Sequence, residues 1–370
     1  MTKEWTGREV FKIDGFHHVE FCVGNAKQAA YFYQSAFGFD LHAYMGPETG
    51  CKTHVSYVLK QNHVYFVLTT PLHSSHPASE QLKKHGDFVC DIALSVPDPA
   101  HAYEECLRRG AKEAFAPRAD KTKEGLFVTA GIRTYGDTIH SFIHDGEFKG
   151  VWAPGFVALK SPALNRQTVH LAAIDHIVGN VAVRDMDRWA KFYEEVFGFM
   201  TFVEFDEKDI STRYSALKSK VVRSKNWRVK MPINEPAKGL KKSQIEEYLD
   251  FNEGPGVQHV ALITKDIVHA VSALRANGVE FLEVPDSYYD ALGARVGDID
   301  EDLELLKKHK ILVDRDQEGY LLQLFTRPIE DRPTFFFEII ERKGALGFGQ
   351  GNFQALFESI EREQARRGNL

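Results

Sequence analysis

"FYEEVFGF", residues 192–199, has already occurred once in the chain, as "FYQSAFGF" at 32–39. The offset of 160 residues does not stand alone. "DIALSVPDPAHAYEECLRRGA" at 91–111 corresponds to "HVALITKDIVHAVSALRANGV" at 259–279, and "GDTIHSF" at 136–142 is matched with "GYLLQLF" at 319–325. The order is kept while the offset widens from 160 to 168 and then 183. The chain is therefore a duplication whose second half has gained insertions.

Each half has the same plan. In the second, a strand over 174–183 leads to an amphipathic helix over 187–196 that ends at Gly198. Short strands follow at about 200–205, 213–222 and 227–233. The pattern then recurs, with a strand over 257–263, a helix over 266–277 ending at Gly278, and strands near 280–284, 311–314, 320–325 and 335–341. Strand, helix and several short strands, twice per half, make four βαβββ units in tandem. The expected fold class is α+β, with helices flanking curved, mainly antiparallel sheets. Residues 286–310 read as an inserted helical excursion. Residues 151–170, with two prolines and no clean periodicity, read as the linker between a domain over 1–155 and another over 156–370. A C-terminal helix is expected over about 352–367, its Phe353, Leu356, Phe357 and Ile360 forming one apolar stripe.

The 370 residues are 43% hydrophobic and 26% charged, enough for a full core in each half. A net charge of −6 argues against nucleic acid or an anionic membrane surface as partner. No window supplies the roughly 18 apolar residues of a membrane span, and the N-terminal stretch lacks a secretory apolar run. Cys22, Cys51, Cys90 and Cys106 fall singly and read as reduced thiols of a cytosolic chain. The locally basic "KSKVVRSKNWRVK" at 218–230 reads as the solvated side of a hairpin.

The duplication also acts as an internal control, because polar residues present in one copy only are not required by the fold. His259 in "GVQHVAL" falls on Asp91. Glu338, set among apolar residues in "TFFFEIIER", falls on Gly155 at the third offset. His176 in "AIDHIVGNV" matches either Phe16 or, with a slip of two residues, His18. His176 and His259 open the first strands of the two units of the second half, and Glu338 lies on the last strand. If paired units close into one curved sheet, the three converge. Two imidazoles and one carboxylate with open positions suit Fe(II), and zinc also accepts such a set. Strict alternation along a strand would send Gln258 and His259 to opposite faces, so both reach one site only across a bulge.

"GVQHVAL", "GYLLQLFTRP", "DRPTFFFEIIER" and "GFGQGNFQALFESIEREQ" resemble the 4-hydroxyphenylpyruvate dioxygenase family, within the vicinal oxygen chelate superfamily. The resemblance covers essentially the whole chain. It implies two open-barrel domains of the glyoxalase and extradiol dioxygenase type with a C-terminal lid helix. The first domain would be a metal-free scaffold and oligomer surface, in a likeness that favours a homodimer. The resemblance implies one Fe(2+) per subunit on His176, His259 and Glu338. It implies a pocket built from Ser219, Asn234, Gln244, Gln258, Gln323 and Asn352, and from Phe325, Phe336, Phe348 and Phe353. The implied reaction takes 4-hydroxyphenylpyruvate and O2 to homogentisate and CO2 in tyrosine and phenylalanine catabolism. The alternatives are a 4-hydroxymandelate synthase, an extradiol dioxygenase, and a metal-free binding module of the same superfamily.

Overall fold

The computed structural model describes residues 6–206, 216–237, 239–290 and 292–369. In the first half, β1 (Gly15–Cys22), α1 (Ala26–Phe37), β2 (Asp40–Met45), β3 (His54–Gln61) and β4 (Val64–Pro71) form one βαβββ unit. After α2 (Pro77–His85), a second unit follows: β5 (Phe88–Ser95), α3 (Pro99–Arg108), β6 (Glu113–Thr122), β7 (Gly125–Arg133) and β8 (Ile139–His144). The two units join in one sheet of order β6-β7-β8-β5-β1-β4-β3-β2, to which β9 (Val157–Ala158) adds at the β2 edge. The start of the expected linker thus belongs to the first sheet.

The second half repeats the arrangement. Its first unit comprises β10 (Ala173–Asn180), α4 (Met186–Phe192), β11 (Met200–Phe205), β12 (Ala216–Arg223) and β13 (Lys230–Ala237). After α5 (Gln244–Phe251) come β14 (Gly256–Ile263) and α6 (Ile267–Ala276). The excursion forms three short helices, α7 (Ser287–Asp290), α8 (Leu292–Val296) and α9 (Leu303–His309). The chain then returns through β15 (Leu312–Arg315), β16 (Tyr320–Phe325) and β17 (Phe336–Lys343) and ends in α10 (Phe353–Arg366). The strand order is β11-β12-β13-β10-β14-β17-β16-β15. In both sheets the first strands of the two units pair antiparallel at the centre, as a pseudo-twofold requires.

Local chemistry explains the boundaries. After α4 a single wider turn, Tyr193–Phe197, carries the helix to Gly198, whose φ of +71° only glycine adopts without strain. Ser243 and Glu246 form a capping box that starts α5. The basic stretch at 218–230 is a β12–β13 hairpin as expected, yet Arg223 is buried, its guanidinium 3.8 Å from the Trp227 ring centroid.

Two expectations need correction, and a third lies partly outside the described residues. Residues 280–284 form no strand, only the isolated bridge Phe281–Thr326, because Pro285 ends the extended run and α7 begins. The early part of the strand expected over 213–222, residues 213–215, lies outside the described residues. The third offset was misaligned. β8 lies parallel beside β5 as β17 lies beside β14, with Asp91 opposite Ile139 and His259 opposite Phe336. Ser141, not Gly155, is therefore the counterpart of Glu338. The apolar pattern of "TIHSF" fits β16 and β17 alike, and only hydrogen-bonded pairing separates them.

The aromatic run before Glu338 serves both faces of its strand. Phe335 and Phe337 point into the core between the two halves, 5.3 Å from Phe21 and 4.8 Å from Phe37 by ring centroids. Phe336 and Glu338 turn the other way, toward the cavity of the second sheet. Phe337→Ala should lower unfolding stability by ~3–5 kcal/mol in urea denaturation; a loss below ~1 kcal/mol would show that the two halves do not depend on this packing.

Candidate metal centre

β10 and β14 each bulge one residue before their histidine. Ile174 faces Leu262 and His176 faces Ala261, so Asp175 is the extra residue on β10. Val178 faces His259 and Gly179 faces Val257, so Gln258 is the extra residue on β14. A bulge cancels the alternation locally and turns the extra side chain toward its neighbour. Gln258 and His259 accordingly both line the cavity.

The consequence is a matched pair of oriented imidazoles. His176 Nδ1 donates to Asp175 Oδ2 at 2.8 Å, and His259 Nδ1 donates to Gln258 Oε1 at 3.0 Å. With Nδ1 bonded in each ring, Nε2 is the nitrogen that faces Glu338. Glu338 Oε2 lies 3.1 Å from His176 Nε2 and 3.4 Å from His259 Nε2. One donor atom from each of the three residues falls within 4.8 Å of the others, and all three residues are buried. Such a set, with each histidine held by a second group, fits a divalent metal ion.

Electrostatics agree with this. Burial alone would raise Glu338, but the two imidazoles outweigh it and hold the carboxyl at about 2. Burial would lower His176, yet Glu338 and Asp175 together raise it above its ordinary 6.5. His259 is lowered, chiefly by burial. Burial would likewise raise Asp175, which Arg342 and Lys230 instead hold well below the usual carboxylate range. Lys230 Nζ donates to Asp175 Oδ1 at 3.0 Å, and Arg342 donates to the two carboxylate oxygens at 2.9 and 2.8 Å.

A cavity opens beside the triad. Ser219, Asn234, Gln244, Gln258, Phe325, Phe336, Phe348 and Phe353 all line it, as expected. Ser219 and Asn234 are direct cross-strand partners on β12 and β13, and Gln244 opens α5. The Phe336 ring stacks on His259 at 4.8 Å, while Phe348 meets the His176 ring edge-on at 5.0 Å. Phe205 closes on Phe353 at 4.9 Å.

Two expected pocket residues lie elsewhere. Asn352 is fully buried outside the lining, its Oδ1 accepting from Tyr288 at 2.6 Å and Arg295 at 3.3 Å. It fixes the start of α10 to the excursion. Gln323 shares a strand face with Phe325 but lies two residues earlier, opposite Ile340 and not Glu338, packed beneath Gly349. The sequence reading missed Asp175, Lys230 and Arg342. A signal existed: each ligand histidine is preceded by a residue bearing a side-chain acceptor oxygen, "DH" and "QH".

Comparison with known proteins places this geometry. A family model described as hydroxyphenylpyruvate dioxygenase, N-terminal, matches residues 9–149, and the glyoxalase, bleomycin resistance protein and dioxygenase superfamily matches 173–324. The chain is 46% identical to the 4-hydroxyphenylpyruvate dioxygenase of Yarrowia lipolytica, over 96% of this chain and 93% of that protein. It is 45% identical to that of Danio rerio, over 97% and 93%. A solved structure of a mutant 4-hydroxymandelate synthase from Streptomyces coelicolor superposes with a TM-score of 0.84 at 30% identity, over 95% of this chain and 99% of that one. On the full-length identity to the first group, the chain belongs to the 4-hydroxyphenylpyruvate dioxygenase family.

Proposed function

We propose that this dioxygenase converts 4-hydroxyphenylpyruvate and O2 to homogentisate and CO2, using one Fe(II) per subunit, in tyrosine breakdown. The observation that carries the reading is the pairing of a His176–His259–Glu338 centre with a phenylalanine-walled cavity that also presents neutral polar groups. Bound Fe(II) would supply O2 activation and a Lewis-acidic anchor for the 2-oxoacid. Glu338 is the only anionic ligand, so a ferrous site keeps a net positive charge. Asp175, Lys230 and Arg342 add a further net positive charge behind His176. Both favour an oxoacid carboxylate.

The remaining lining sorts by chemistry. Ser219, Asn234, Gln244 and Gln258 offer donors and acceptors to the phenol and oxoacid without a competing charge. Phe325, Phe336, Phe348 and Phe353 flank the ring and exclude water from the reacting atoms. The α10 stripe of Phe353, Leu356, Phe357 and Ile360 roofs the cavity, consistent with a lid. We place the protein in the cytosol as a homodimer. No helix among the described residues is long and apolar enough to cross a membrane, and all four cysteines are free.

Identity of 45–47% to the dioxygenases, against 30% to the 4-hydroxymandelate synthase, favours ring hydroxylation. Chromatography of the product decides: homogentisate is expected, and 4-hydroxymandelate would overturn the reading. Glu338→Ala should abolish turnover and stoichiometric iron together; normal activity in that variant would remove the centre from the mechanism. Gln258→Leu, which keeps the side chain's bulk but removes the acceptor for His259, should weaken iron binding ~10–100-fold. Unchanged affinity would confine Gln258 to substrate contact.

Proton linkage gives an independent readout. Raised above its ordinary 6.5, His176 in the metal-free protein keeps its proton to higher pH than a free imidazole, and a metal must displace any proton it holds. Loading should release protons, in amounts that grow as pH falls toward the raised His176 value, seen as a buffer-dependent calorimetric heat. Affinity should fall further as pH drops below the raised His176 value. Heats independent of buffer would refute this assignment.

A further inference from the structure

The first sheet repeats the bulges of the metal centre as well as its strands. On β1 and β5, Phe16 faces Leu94 and His18 faces Ala93, which makes His17 the extra residue, as Asp175 is on β10. Glu20 faces Asp91 and Phe21 faces Val89, which makes Cys90 the extra residue, as Gln258 is on β14. His18 is therefore the structural equivalent of His176, and Asp91 of His259. Glu20 stands at the position of Val178, a cavity-lining residue in the second sheet.

His18, Glu20 and Asp91 bring one donor atom each within 4.8 Å of the others. His18 and Asp91 are 7% and 5% exposed. His18 Nδ1 lies 2.7 Å from His17 Nδ1, repeating the contact of His176 with Asp175. The two carboxylates receive only neutral donors. Thr69 donates its hydroxyl to Glu20 at 2.5 Å, and Ser141 donates both its N–H, at 2.9 Å, and its hydroxyl to Asp91. Neither carboxylate forms an ion pair with a lysine or arginine among the described residues. Holding the buried Asp91 against the half-buried Glu20 without a cation is costly. Burial, with the Glu20 charge adding, pushes Asp91 up to about 8, and burial raises Glu20 as well. The Trp152 ring packs on His17 and His18 at 5.1 and 5.3 Å and caps the group.

We propose that His18, Glu20 and Asp91 form a second divalent-cation site, related to the catalytic centre by the internal duplication. One imidazole and two carboxylates suit a borderline-to-hard ion such as Mn2+. The ion replaces the missing positive charge and ties β1 to β5 at the seam between the two units. Its role is structural, since the hydrogen bonds of Ser141 occupy Asp91 where the catalytic sheet presents Glu338.

The test uses full-length protein carrying Glu338→Ala, stripped with chelator, so that the C-terminal centre no longer competes. Mn2+ is titrated in and its free signal followed by electron paramagnetic resonance. One tightly bound Mn2+ per chain is expected, and Asp91→Asn in the same background should abolish it. Glu20→Gln should weaken it about tenfold or more and serves as the second variant if Asp91→Asn fails to fold. Absence of tight Mn2+ in the Glu338→Ala chain would overturn the proposal and leave a carboxyl pair sharing a proton. Undiminished binding in both double variants would place the ion elsewhere and overturn it equally.

Discussion

The metal centre depends on two single-residue bulges. In a regular strand the residue before a ligand histidine faces away from it and cannot touch its ring. At Asp175 and Gln258 the extra residue swings back, and each side-chain oxygen takes the Nδ1 proton of the next residue. Without those acceptors each imidazole could rotate or present the wrong tautomer. The bulges lie on the two central strands of the sheet, related by the pseudo-twofold, so one backbone device aims both rings at Glu338.

The two acceptors are not equivalent. Gln258 is neutral, whereas Asp175 is a buried anion that requires compensation. Arg342 supplies it and also donates to the backbone carbonyls of Ala345 and Gly347 at 3.1 and 2.7 Å. Its guanidinium further lies 5.6 Å from the Phe348 ring centroid, and that ring packs on His176. The side chain that neutralises Asp175 therefore also anchors the segment leading to α10. Orientation of one ligand and placement of the cavity roof share a single cation.

Much of this was legible in the sequence, for identifiable reasons. The duplication exposed the four units because Gly-ended helices and apolar strand patterns recur in order. His259 and Glu338 stood out because one copy carries them and the other does not. What stayed hidden was whatever depends on hydrogen-bond register. The two-residue slip that pairs His176 with His18 is resolved only by the β1–β5 and β10–β14 pairings. The same blindness misplaced the third repeat and left the Gln258 orientation undecided. Asn352 and Gln323 illustrate a second limit. Neutral amides near a site are equally suited to holding a loop, and the excursion that occupies Asn352 has no counterpart in the first half to compare.

The C-terminal helix shows why an apolar stripe alone does not specify its partner. Phe353, Leu356, Phe357 and Ile360 have the spacing of an ordinary core-facing helix, yet all four border the cavity. Such a face gains less from protein packing than a closed core would give, so the helix needs other attachments. They are polar and run along its length: Ser359 and Arg362 both donate to the Glu283 carbonyl at 2.8 Å. Gly351 donates its N–H to Asp314 at 3.0 Å, while Asn352 is held by Tyr288. Near the other end, Arg367 and Asn369 converge on the buried Glu247 of α5, at 2.7 and 2.9 Å. Gly349, at φ +74°, turns the chain into the helix directly above Gln323, where a Cβ would come within 2.5 Å of the amide. These directional bonds hold the helix where its apolar face borders the ligand space. Asn352, bonded to Tyr288 and Arg295, takes part in that attachment, and Gln323 packs against the Gly349 turn that leads into it.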